Sequence, residues 1–248
     1  MSRYFLLEVC AFNIQSCVVA IRAGAGRIEL CDNPQEGGTT PSYGLIKAAR
    51  DLSDIALFPI IRPRGGNFLY DNYDLDIIKK DIEMCRELHC DGVSTGVEMQ
   101  NGEIDKELLK RIVEWAYPMQ VTCHRVFDRT PDPFKALEDV TESGCTRILT
   151  SGQQANAPAG AALIKKLVNV AGERIIIMPG GGVRAANIAQ LIDQTGTTEF
   201  HTAAKNAVPD IIPNEHPSVL DAGNMVLSDE AEIADMVRIG KASNDNRL

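Results

Sequence analysis

Two triplets, Glu8-Val9-Cys10 and Glu29-Leu30-Cys31, set a carboxylate and a thiol two residues apart in short apolar runs. In an extended strand, residues two apart share one face. If the two runs are adjacent parallel strands, about 4.8 Å apart, the thiols of Cys10 and Cys31 converge at one level. Paired soft thiolates favour Cu(I). Two packed thiols in a reducing compartment are the bland alternative. His124, in His124-Arg125-Val126-Phe127-Asp128, and His201 offer proton transfer, with Glu8 or Glu29 as a partner and Asp128 nearby. Arg62-Pro63-Arg64-Gly65-Gly66 fixes two guanidinium groups beside a proline, which suits carboxylate or phosphate recognition. Gly180-Gly181-Gly182-Val183-Arg184 precedes a helix-like run, and backbone amides at such a start form an anion cradle. Thr150-Ser151-Gly152 and Thr202-Ala203-Ala204 can complete it, and Arg125 is a further anion-binding candidate.

These residues need elements that bring them together. Short β-branched or apolar runs alternate with stretches of helical period along the whole chain. The strand candidates are Phe5–Cys10, Arg27–Cys31, Ala56–Arg62, Gly92–Gly96, Met119–His124, Arg147–Ser151, Arg174–Pro179 and Glu199–Thr202. Asp132-Pro133 reads as a helix cap followed by proline in the first turn. Gly24, Gly144 and Gly196 stand where helices must end in a left-handed residue. Strand–helix alternation implies a parallel sheet with right-handed crossovers. Eight such units in 248 residues predict an α/β fold, a single-domain (β/α)8 TIM barrel over residues 1–248, with a doubly wound sheet as the other option. The connection from about 203 to 228 is long, carries Pro209, Pro213 and Pro217, and is expected to act as a lid or packed cover.

Strand parity then turns Glu8, Cys10, Glu29, Cys31, Arg62, His124, Ser151, Glu199 and His201 inward, towards the strand ends where barrel enzymes place their sites. Buried charge is costly unless paired. One explanation is an internal ion-pair layer in which Arg62 neutralises the glutamates. The other is a polar ligand or a proton-transfer task, since three inward carboxylates exceed one arginine.

Composition bounds the partners. Asp plus Glu is 34 against 25 for Lys plus Arg, a net charge of −9, which disfavours nucleic acid. No apolar run is long enough to span a bilayer, and Met1-Ser2-Arg3-Tyr4 leads into a strand without a secretory h-region. The seven cysteines are odd in number and scattered, so they read as reduced thiols of a cytoplasmic protein and not as a disulfide framework.

The motifs together resemble the CutC family of copper homeostasis proteins. The resemblance rests on Glu8-Val9-Cys10, Arg27-Ile28-Glu29-Leu30-Cys31, Glu36-Gly37-Gly38-Thr39-Thr40-Pro41-Ser42 and Ile61-Arg62-Pro63-Arg64-Gly65-Gly66. It continues through Thr122, His124-Arg125, Phe127-Asp128, Leu149-Thr150-Ser151-Gly152, Gly180 to Arg184, and His201, covering about residues 4 to 204. Cys123 and Val126 depart from the usual aromatic and Ala. The resemblance implies a (β/α)8 barrel, a cytoplasmic location, a homodimer or larger homo-oligomer, and Cu(I) held by Cys10 and Cys31. It supplies no reaction. An enzyme acting on a small anionic or phosphorylated metabolite therefore stands beside the copper reading. In it, His124 is the general acid or base and Arg62 with Arg64 the clamp.

Overall fold

A computed structural model describes residues 5–208 and 225–245. Eight parallel strands alternate with eight helices. The strands are β1 (Leu6–Ala11), β2 (Arg27–Leu30), β3 (Ala56–Pro59), β4 (Gly92–Thr95), β5 (Gln120–Cys123), β6 (Arg147–Thr150), β7 (Ile176–Pro179) and β8 (Glu199–Thr202). The helices are α1 (Ile14–Arg22), α2 (Tyr43–Leu52), α3 (Asn72–Glu87), α4 (Lys106–Ala116), α5 (Pro133–Glu142), α6 (Ala157–Ala171), α7 (Ala185–Thr195) and α8 (Glu230–Asp245).

The strands form two four-stranded arcs, β3-β2-β1-β8 and β4-β5-β6-β7. One seam is closed by a parallel bridge between Ile60 and Ser94. At the other, Thr202 Oγ1 donates to the Val183 carbonyl at 2.9 Å. The result is a (β/α)8 barrel, which removes the exposed edges of an open doubly wound sheet.

The local punctuation explains the helix limits. Asp132 caps α5, its carboxylate accepting from the amides of Phe134 and Lys135, with Pro133 in the first turn. Asn13, Ser42, Asp71, Asp105 and Asn156 cap five other helices in the same way. The apolar parity of each strand, such as Leu7 with Val9 and Ile28 with Leu30, packs on α-helical residues including Cys17, Ile46 and Ile233 in one buried core. The inward parity is left to the polar set.

Two expectations change here. Strand β3 stops at Pro59, so Arg62 sits in the following loop and not on the strand. Part of the connection after β8 is itself β structure: Lys205–Val208 (β9) pairs antiparallel with Met225–Ser228 (β10). The lid expected there, with Pro209, Pro213 and Pro217, lies outside the described residues.

Candidate functional site

The barrel interior is built in layers. Strand β1 pairs with β2 so that Glu8 lies opposite Arg27, and with β8 so that Glu8 lies opposite His201. In the lower layer Arg27 forks between Glu8 and Glu199, the latter at 2.6 Å, and Arg147 reaches Glu199 at 3.1 Å. All four are almost wholly buried. Burial alone would protonate Glu8, but Arg27 and His201 outweigh it and lower its pKa to about 2. The ion-pair layer foreseen from parity therefore exists, with different cations. Arg62 makes none of these pairs. Its Nη atoms donate to the carbonyls of Glu36, Gly38 and Gly66, tying two loops together.

One layer higher lies the thiol cluster. Cys10 is in register with Glu29, which puts Cys31 two residues further along the chain, just past the end of β2. The side chains still meet: Cys10 Sγ and Cys31 Sγ are 3.6 Å apart, and Cys31 Sγ is 3.6 Å from Glu29 Oε2. His201 joins them, its Nδ1 2.7 Å from Glu8 Oε1 and its Nε2 3.8 Å from Glu29 Oε2. The Cys31 thiol stabilises a charge on Cys10, so the Cys10 pKa falls despite burial, with His201 helping. Cys31 is pushed well above the ordinary thiol range by its bond to Cys10, by burial and by Glu29. Burial opposes a charged His201, yet Glu29, Cys10 and Glu8 overcome it and raise its pKa well above 6.5.

Among the described residues, two donor sets each bring their ligand atoms within 4.8 Å of one another: Cys10, Glu29 and Cys31; and Glu8, Glu29 and His201. The second is already committed, because Glu8 is gripped by Arg27 and His201. The first offers two soft sulfurs and one oxygen, a donor set that fits Cu(I) better than Mg²⁺ or Ca²⁺.

A chamber of about 340 Å³ opens above the cluster. Its walls include Cys10, Glu29, His201, Arg62, His124 and Arg125, together with Gly181 and Gly182. Other sequence candidates stand behind the wall. Arg64 turns away to Asp74 at 3.0 Å and to the Leu69 carbonyl at 2.8 Å, so it forms no clamp with Arg62. Asp128 accepts from Thr150 Oγ1, the amides of Ser151 and Gln153, and Arg125 Nε; it organises the loop after β6 and is not among the residues lining the chamber. Ser151 Oγ donates a hydrogen bond to the Gln154 carbonyl at 2.6 Å. Gly152 touches Gly160 of α6, and Gly180 underlies Leu149 and His201. His124 is driven down to a pKa of about 3 by burial and by Arg62, so its imidazole is neutral near pH 7.

The sequence profile of the CutC family matches residues 5–206. The chain belongs to the CutC family. A family protein CutC from Parabacteroides distasonis is 49% identical, covering 92% of this chain and 93% of its own. A human protein named copper homeostasis protein cutC homolog is 43% identical over 82% of this chain and 74% of that one. A solved structure of a copper homeostasis protein CutC from Streptococcus agalactiae superposes with a TM-score of 0.76 at 36% identity, over 80% of this chain and 98% of that one.

Sequence reasoning found most of the inward residues of this CutC barrel but overlooked Arg27 and Arg147. A signal was present: both share parity with the inward side chains of their strands, Arg27 with Glu29 and Arg147 with Leu149. What a single strand cannot reveal is that Glu8 and Glu199 arrive from neighbouring strands to meet them. Arg184 and Lys205, also on the chamber wall, were not singled out.

Proposed function

We propose that this chain binds Cu(I) through Cys10 and Cys31, with Glu29 and His201 at the edge of the site, and buffers or hands on copper in the cytoplasm. The observation that carries the reading is the 3.6 Å approach of the two sulfurs at the floor of an open chamber. A soft cation there would displace the thiol protons of Cys10 and Cys31 and join the pair. Cys10 keeps a 7% exposure, enough for the ion to enter from the chamber, while Cys31 is sealed. All seven cysteines are free, which suits a reducing compartment. The copper homeostasis names of the relatives point the same way.

Titration of the reduced protein with Cu(I) against a competing chelator tests it. One ion per chain is expected to bind, and Cys10→Ser and Cys31→Ser are each expected to weaken binding at least tenfold. Equal affinity in all three proteins contradicts the reading.

A further inference from the structure

The chamber carries two polar groups that the copper reading does not use. His124 accepts the Val126 amide on Nδ1 at 3.1 Å. The neutral ring therefore carries its proton on Nε2, and that atom is buried with no hydrogen-bond partner among the described residues. Arg62 spends its Nη atoms on loop carbonyls, and its Nε is likewise buried and unpartnered. Both side chains are more than nine-tenths buried, and both line the chamber. Buried donors are seldom left without acceptors, and two on one wall call for an oxygen from outside the chain.

The opposite wall is built for negative charge. Gly181 and Gly182 hold φ of +90° and +75° in the turn before α7, a conformation that favours glycine. Among the described residues, the amides of Gly181, Gly182 and Val183 donate to no protein acceptor. Arg125 leans onto this turn: a Cβ on Gly181 would lie 3.3 Å from its Nη1. Arg62, Arg125, Arg184 and Lys205 face one carboxylate, Glu29, on the lining, inside a chain of net charge −9. The volume is at the small end of ligand pockets, which run from about 300 to 1,000 Å³.

We propose that the chamber binds a small phosphate monoester carrying a carbonyl or carboxylate oxygen. The phosphate sits on the Gly181–Gly182 turn between Arg125 and Arg184, and the second oxygen takes the Nε2–H of His124 and the Nε–H of Arg62. Phe68, Ile60 and Leu149 supply the apolar wall for the carbon skeleton. Neither thiol takes part, so this site stands or falls separately from Cu(I) binding.

Calorimetric titration of the full, reduced, copper-free chain provides the test. The probes are 2-phosphoglycolate for the carboxylate form, dihydroxyacetone phosphate for the carbonyl form, and inorganic phosphate and glycolate as the separate halves. At least one of the first two is expected to bind about tenfold or more tighter than either half, and to raise the wild-type melting temperature. His124→Asn keeps an acceptor for the Val126 amide but loses the outward N–H. It is expected to weaken the bifunctional probe about tenfold and leave inorganic phosphate unchanged. Arg184→Ala weakens both, and Arg64→Ala, outside the chamber, weakens neither. The proposal is overturned if neither bifunctional probe binds or raises the wild-type melting temperature. It is also overturned if their affinity equals that of inorganic phosphate, or if His124→Asn binds the bifunctional probe as the wild type does.

Discussion

His124 is neutral in the fold because it is buried beside Arg62, with its pKa lowered from 6.5 to about 3. In the unfolded chain the imidazole is free to protonate near 6.5. Below that pH the unfolded state holds the extra proton, so the contribution of His124 is full above pH 6.5 and declines as pH falls towards 3, whereas that of His201, raised in the fold, is full below pH 6.5 and is lost as pH rises. Between pH 6.5 and 5, before carboxylates titrate, the His124 contribution to urea unfolding is expected to fall by up to about 1.4 kcal/mol per pH unit. His124→Asn should flatten that slope; an unchanged slope in the variant contradicts the assignment. Arg27 is a second residue-scale case. Its removal leaves Glu8 and Glu199 buried without their main counter-ion. Arg27→Ala is expected to cost about 3–5 kcal/mol in denaturant unfolding, the range for breaking a buried pair from one side. A loss below 1 kcal/mol would mean that the layer rearranges freely. At this scale the sequence exposed side-chain parity well. It could not expose partnership, because the cations that neutralise the glutamates come from strands far apart in the chain.

The elements were largely legible, since alternation, caps and glycine stops are local signals. Gly24, Gly144 and Gly196 do take positive φ at helix ends, and Asp132 does cap α5. Register is not local. Cys10 pairs with Glu29 and not with Cys31, and only the reach of the side chains restores the thiol contact. The end of β3 was also misplaced, because Ile60 and Ile61 are as apolar as the strand before them. Close approaches between elements are equally invisible in sequence. A Cβ on Gly160 of α6 would fall 1.9 Å from the Ser151 carbonyl oxygen, a backbone atom that cannot swing aside. Gly160→Ala is therefore expected to push α6 off the loop after β6 and lower stability by about 1–3 kcal/mol. An unchanged urea midpoint would show that the helix shifts at no cost.

Across the whole molecule, an acidic chain folds into a barrel whose chamber is lined by cations and has Cys10 on its floor, backed by Cys31. The outward parity makes the core, the lower inward layer neutralises itself through Arg27 and Arg147, and the upper layer carries Cys10, Glu29 and Cys31. Cu(I) at Cys10 and Cys31 is the central claim, and X-ray absorption at the copper edge of the loaded, reduced protein reads its ligands directly. Two sulfur neighbours are expected in the wild type and one in each of Cys10→Ser and Cys31→Ser. A first shell of nitrogen and oxygen alone, the same in all three proteins, contradicts the account.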